Sequence, residues 1–148
     1  MEFKKLKRPA GAYSVSFTAN ESLAVRSAFK ERCFEAAIEE DVAEIPELHI
    51  NLCNLIPGRS RRLDPEQVDD VAGVLNEFAS TTGGHIVEMN EEAYEAVYQN
   101  EDILERITLG RTAGQLARQL STGLMETETS GEISQIVRAH GVTATATS

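Results

Sequence analysis

The chain has 148 residues and a mass of 16.2 kDa, with 41% hydrophobic and 26% charged residues. That length suffices for one ordinary domain with a buried core, and the periodic placement of apolar residues excludes a wholly disordered chain. No apolar stretch approaches the roughly 18 residues that a membrane-spanning helix needs, and the basic start lacks the apolar segment of a secretory signal. Two cysteines are too few for a disulfide scaffold and fit a reducing compartment. We therefore expect a single cytoplasmic domain over residues 1–148, without a membrane partner.

Charge is distributed unevenly along the chain. Twenty-four acidic residues against fourteen basic ones give a formal charge of −10. Residues 1–62 carry ten bases and nine acids, whereas the stretch from Asp64 to Glu105 carries twelve acids and no base. Such a one-sided field repels the phosphates of DNA and RNA and attracts basic partners over about a Debye length. We expect a solvated acidic surface and no binding to nucleic acid.

The first predicted strand is Ala12–Thr18, where apolar and polar residues alternate as in a strand with one buried face. The preceding residues 1–11 are predicted to form a basic N-terminal arm. Asn20 is predicted to cap the helix that follows, and the acids at Glu39–Asp41 are unfavourable at a helix C-terminus and indicate where it ends. Cys33 lies on the apolar stripe of this helix, which predicts an inert core thiol.

The second predicted strand is Leu48–Ile56, followed by a loop rich in arginine and then by the clearest helix signal in the chain. Asp64 is suited to the cap, Pro65 to the first helical position and Gln67 to the reciprocal capping position. The apolar period continues through Pro65–Ala79 and predicts a buried face. That face comprises Val68, Val71, Ala72, Leu75, Phe78 and Ala79.

The third predicted strand is His85–Met89, and the chain beyond it has a helical pattern. The apolar stripe from Leu109 to Leu124 is predicted to serve a neighbouring molecule as well as the core. A polar link at Glu126–Gly131 is predicted before a final helix, and Val142–Ser148 has the composition of a flexible tail.

Three strand–helix units predict a helix-rich α/β or α+β fold with a small three-stranded sheet and a helical C-terminal third. Right-handed crossovers would make the strands parallel, although mixed directions remain open. The expected organisation is a strand–helix core over residues 12–99, C-terminal helices over 100–141 and the tail over 142–148.

The loop between the second strand and its helix carries Arg59, Arg61 and Arg62. In a parallel sheet this position lies where ligands bind, and guanidiniums hold phosphates or carboxylates through paired hydrogen bonds. The loop is therefore a candidate binding site for an acidic protein or a nucleotide. An exposed loop whose arginines pair with acids of the 64–105 stretch is the other interpretation.

The segment His49-Ile50-Asn51, on a predicted strand, resembles the first half of the His-x-Thr/Ser signature of two-histidine phosphoesterases. The resemblance implies an acid–base role for His49 on a cyclic phosphate. Asn51 stands where that family has a hydroxyl residue, and neither His85 nor His140 begins a second signature. A half-buried structural histidine is the competing interpretation.

These patterns predict a non-enzymatic acidic protein for protein interaction or assembly, docking on a protein partner or on copies of itself as an oligomer. A viral or phage structural or accessory protein, acting in the host cytoplasm or virion, fits this description. The alternative is a phosphoesterase-like enzyme that uses His49 with the three loop arginines. No cofactor or metal is expected, because nucleotide-binding motifs are missing and His49 and Cys53 would lie about 13 Å apart on a strand.

Overall fold

A computed structural model of the chain describes residues 1–39, 44–82, 92 and 101–139, with side chains described as far as Thr127. Three short strands form one antiparallel sheet: β1 at Glu2–Lys5, β2 at Tyr13–Ser16 and β3 at Arg61–Leu63. Four helices lie in the described residues: α1 at Ala19–Ile38, α2 at Glu47–Leu52, α3 at Pro65–Thr82 and α4 at Glu101–Ala139. The helix-rich α+β fold with a three-stranded sheet is confirmed.

The sheet has β2 in the centre, between β1 and β3. A short connection joins β1 to β2, which is sufficient for an antiparallel hairpin but far too short for a parallel crossover. Phe3 pairs with Val15 in this hairpin, and the Phe3 ring stacks on Tyr13 with centroids 5.0 Å apart. The expectation of parallel strands is therefore wrong, and β1 lies within the segment that we predicted as an arm.

The segment predicted as the second strand, Leu48–Ile56, is instead the short helix α2 with the turn that follows it. Pro46 precedes the helix, with a φ of −58° that suits a helix start. His49 and Leu52 face inward while Ile50 is exposed, which is a helical period and not an alternating one. The prediction failed because a short apolar run satisfies both periods. The third predicted strand, His85–Met89, lies outside the described residues.

Capping side chains define the starts of α1 and α3. The Thr18 hydroxyl accepts a hydrogen bond from the Glu21 backbone N–H, and the Glu21 carboxylate accepts one from the Thr18 N–H. Thr18, and not Asn20, is therefore the cap of α1. At α3 the predicted arrangement is confirmed, because Asp64 accepts from the Gln67 N–H at 2.8 Å and the Gln67 amide oxygen accepts from the Asp64 N–H at 3.0 Å.

The core lies mainly between α3 and α4, with β2 and α1 completing it. The helix predicted at Pro65–Ala79 is confirmed and extends to Thr82. On α4, Leu116 and Leu120 are buried in this protein's own core, while Leu109 and Leu124 pack partly buried against it. The stripe that we expected to serve a neighbour is thus largely used within the chain.

The backbone of α4 continues as one helix through the predicted link at Glu126–Gly131. Thr127 helps to hold this part of the helix, since the Tyr13 hydroxyl and the Thr127 hydroxyl are hydrogen-bonded at 2.8 Å. Polar and glycine residues weaken a helix by about 1 kcal/mol or less each, a cost that a tertiary contact such as that of Thr127 with Tyr13 opposes. The predicted tail at 142–148 lies outside the described residues.

Candidate functional site

The arginine-rich loop is a tight turn between α2 and β3. Gly58 has a φ of +77°, which glycine adopts without the steric cost that other residues incur. Its N–H donates to the Phe17 carbonyl at 2.8 Å, which ties the turn to the end of β2. Before the turn, the Leu55 carbonyl accepts a hydrogen bond of 2.9 Å from the Arg26 guanidinium of α1. The loop is therefore anchored at two points while Arg59 remains exposed on it. Arg61 and Arg62, which we predicted in the loop, lie on β3 instead, where Arg61 is partly buried and Arg62 is exposed.

A groove of about 580 Å³ lies between α2, the loop and β3. We call it the arginine groove, and its polar lining consists of Asn51, Asn54, Arg59, Ser60, Arg61 and Arg62. Two exposed large apolar side chains also line it, Ile50 at 49% exposure and Ile56 at 53%, together with the buried Leu55. The three predicted arginines thus line one groove, Arg59 from the loop and Arg61 and Arg62 from β3, the strand that follows it.

None of the three groove arginines has a carboxylate partner within 4.0 Å among the described residues. Other arginines of the same molecule do form ion pairs: Arg106 contacts Glu31 at 3.2 Å and Arg32 contacts Glu77 at 3.9 Å. Within the described residues, the arginine groove therefore concentrates positive charge that is not neutralised internally.

His49 lies on α2 but outside the arginine groove. It is 5% exposed, its Nε2 atom is 2.5 Å from an Asp70 carboxylate oxygen on α3, and its ring meets Phe29 edge-on. A separate groove of about 330 Å³ between α1 and α2 includes His49, Asp70, Cys33 and Arg32 in its lining. The structure therefore does not bring His49 and the loop arginines together. Because His49 lies on a helix, it also lacks the strand context that the phosphoesterase resemblance implies.

The two cysteines are neighbours, which sequence analysis missed. The Sγ atoms of Cys33 on α1 and Cys53 at the end of α2 are 3.6 Å apart, and the Cys53 thiol also donates to the His49 carbonyl at 3.3 Å. Burial, with the contact to Cys33, raises the pKa of the Cys53 thiol to about 11. Both thiols are partly exposed, so Cys33 is not the core thiol that we predicted.

No group of three or more histidine, cysteine, aspartate or glutamate side chains in the described part of the chain is arranged to hold a metal ion. None of the described helices is long and apolar enough to cross a membrane. No protein-family model matches the sequence, and no curated protein or solved structure matches the chain.

Proposed function

We propose that this protein is a non-enzymatic interaction protein that docks an acidic segment of a partner protein in the arginine groove. The observation that carries the proposal is the set of three arginines without carboxylate partners among the described residues, beside two exposed isoleucines. A partner carboxylate can form paired hydrogen bonds with a guanidinium, which a lysine cannot offer.

The apolar side chains favour a protein partner over a small anion. Ile50 and Ile56 expose about half of their surface and are available to bury against apolar residues of a partner. Asn51 and Asn54 add amide donors and acceptors that suit the backbone of an extended segment. Arginine is one of the residue types enriched among those that dominate binding energy at protein interfaces.

The charge of the rest of the molecule directs an acidic segment to this groove. The formal charge is −10, so most of the surface repels such a segment while the arginine groove attracts it. Electrostatic contrast of this kind fixes the orientation and raises the association rate more than the affinity. A second copy of this chain, through its own acidic stretch, is one partner of the required chemistry.

The phosphoesterase alternative gains no support from the geometry. Acid–base cleavage of a phosphodiester needs the proton-transferring group and the phosphate-binding groups on one substrate. His49 is buried against Asp70 in one groove, and the arginines line another. The proposed setting is the cytoplasm, of a host cell if the protein is viral or phage-borne, where free thiols such as Cys33 and Cys53 persist.

The test compares two triple variants that remove the same charge from different places. Fluorescence anisotropy measures the affinity for a labelled peptide that alternates glutamate with leucine, and for a version with lysine in place of glutamate. We expect Arg59→Ser/Arg61→Ser/Arg62→Ser to weaken binding of the glutamate peptide at least about tenfold. The control Lys4→Ser/Lys5→Ser/Lys7→Ser should change it less than about threefold. Equal losses in both variants, or no binding of the glutamate peptide to the unmodified protein, would contradict the proposal.

A further inference from the structure

The thiols of Cys33 and Cys53 lie in a junction between two helices that the docking proposal does not use. Cys33 lies on α1 and Cys53 is the residue that ends α2, and they are 20 positions apart in the chain. Their Sγ atoms are 3.6 Å apart, in direct contact but not bonded. A disulfide needs about 2.05 Å between the sulfurs. The two sulfurs must therefore approach by about 1.5 Å, which small rotations of the two side chains can supply.

We propose that Cys33 and Cys53 form a reversible intramolecular disulfide that links α1 to α2 when the protein meets a peroxide. The contact between the sulfurs carries this inference, together with the partial exposure of both residues. The reaction makes the pair a redox modification site. Two cysteines in direct contact within one chain are placed to react with each other before either reacts with a second molecule.

The position of each sulfur assigns the order of the steps. Cys33 lines the open groove between α1 and α2, whereas Cys53 is not part of that lining. A peroxide that enters the groove therefore meets Cys33 first. The raised pKa of Cys53, about 11, keeps that residue a thiol at neutral pH, and its Sγ atom lies in contact with the Cys33 sulfur. Cys33 is therefore the sulfur that attacks the peroxide, and Cys53 is the sulfur that then attacks the oxidised Cys33.

The steps balance with hydrogen peroxide as the only oxidant. The Cys33 thiolate attacks one peroxide oxygen, the O–O bond breaks, and the products are a sulfenic acid on Cys33 and hydroxide, which is protonated to water. The Cys53 sulfur then attacks the Cys33 sulfur, the S–O bond breaks, and the Cys53 proton leaves with the released hydroxide as a second water. Two thiols lose two electrons, and one peroxide gains them. A dithiol reductant reverses the linkage by exchange.

The linkage should make the folded protein harder to unfold. It closes a loop of 20 residues, and a cross-link of that length removes conformational freedom from the unfolded chain. We expect the midpoint of thermal unfolding to rise by about 5–15 °C on oxidation and to return on reduction.

The experiment treats the reduced, dilute full-length protein with a small excess of hydrogen peroxide and measures intact mass and free thiols in denaturant. We expect a monomer that has lost two hydrogens and both free thiols, and a digest in which the peptides of Cys33 and Cys53 are joined. Cys53→Ser should accumulate a sulfenic acid that a dimedone reagent labels, and Cys33→Ser should be labelled at least about fivefold more slowly.

Three results would overturn the inference. The first is a wild-type protein that keeps both thiols, and the second is one that forms only dimers between chains. The third is stepwise addition of oxygen to the cysteines with no joined peptide. Equal labelling of the two serine variants would overturn the assigned order, and a joined peptide in the wild-type protein would still establish the linkage.

Discussion

At the residue scale, the contact between His49 and Asp70 joins α2 to α3. A buried imidazole needs a hydrogen-bond partner, because an unpaired polar group in the interior costs about 1–3 kcal/mol. His49 is 5% exposed and its Nε2 atom is 2.5 Å from the Asp70 carboxylate, whose side chain is 48% exposed. Water at the exposed carboxylate screens the interaction, so its contribution to stability is modest. The pair positions α2, and α2 forms one wall of the arginine groove.

Asp70→Asn should lower the free energy of unfolding by about 1 kcal/mol, because the amide replaces a charged acceptor by a weaker neutral one. The matched control is Asp69→Asn, which removes the same charge from the neighbouring exposed position and should change the free energy by less than about 0.5 kcal/mol. Denaturant titration at neutral pH measures both. Equal effects of the two substitutions would show that the contact with His49 contributes nothing.

At the element scale, α4 approaches the sheet closely at one glycine. A methyl group at Gly123 would lie 2.7 Å from the Phe3 ring, which is itself stacked on Tyr13. The ring cannot withdraw without losing that stacking. Gly123 therefore allows the close packing of α4 on β1, although glycine is a poor helix former.

Gly123→Ala should destabilise the protein by about 1–3 kcal/mol, because the overpacking cost exceeds the gain of about 1 kcal/mol in helix propensity. Gly73→Ala is the control, since Gly73 lies on α3 with open space around it. That substitution should stabilise the protein by about 0.5–1 kcal/mol. Thermal or denaturant unfolding of both variants shows whether each substitution raises or lowers the free energy of unfolding. A stabilising Gly123→Ala would mean that α4 does not contact Phe3 as described.

The buried face of α3 gives a third prediction. Leu75 has no exposed surface and lies among the core residues shared with α4. Leu75→Ala should cost about 2–5 kcal/mol, because the substitution loses buried apolar surface and leaves a cavity. The control is Asn76→Ala, at the next position of α3, which is exposed. This substitution should change the free energy of unfolding by less than about 0.5 kcal/mol. A cost below half a kcal/mol at Leu75 would contradict the packing of α3 against α4.

Elements with strong local signals could be predicted from the sequence, and elements that depend on distant contacts could not. The capping residues at Asp64 and Gln67 and the helical period after them identify α3 nearly to its ends. By contrast, β3 has three residues, and it is a strand only because β2 lies beside it. The run at Leu48–Leu52 fits a strand and a helix equally well, and the packing of His49 and Leu52 decides for the helix.

At the scale of the whole molecule, the candidate site could be predicted in part. The cluster of Arg59, Arg61 and Arg62 is visible in the sequence, and the structure places the three on one groove. The exposure of Ile50 follows from the helical state of α2, which the sequence left ambiguous, and Ile56 lies in the segment after that helix. The contact between Cys33 and Cys53 depends on how α1 and α2 pack, which no local pattern encodes.

The uneven charge of the molecule has a consequence for binding. The arginine groove and the acidic residues carry opposite charge, so the proposed acidic partner would be attracted to the groove and repelled by the acidic residues. The affinity of such a contact falls with added salt, because exposed charges more than about 10 Å apart are screened at 0.1 M ionic strength.

The most direct test of the docking proposal is to map the binding site by NMR. Amide resonances of the isotopically labelled protein are followed during titration with the peptide that alternates glutamate with leucine. We expect the largest shifts to cluster at residues 50–62, in α2, the arginine-rich loop and the start of β3, and to diminish in the triple arginine-to-serine variant. Shifts confined to other surfaces, or a spectrum unchanged by saturating peptide, would contradict it.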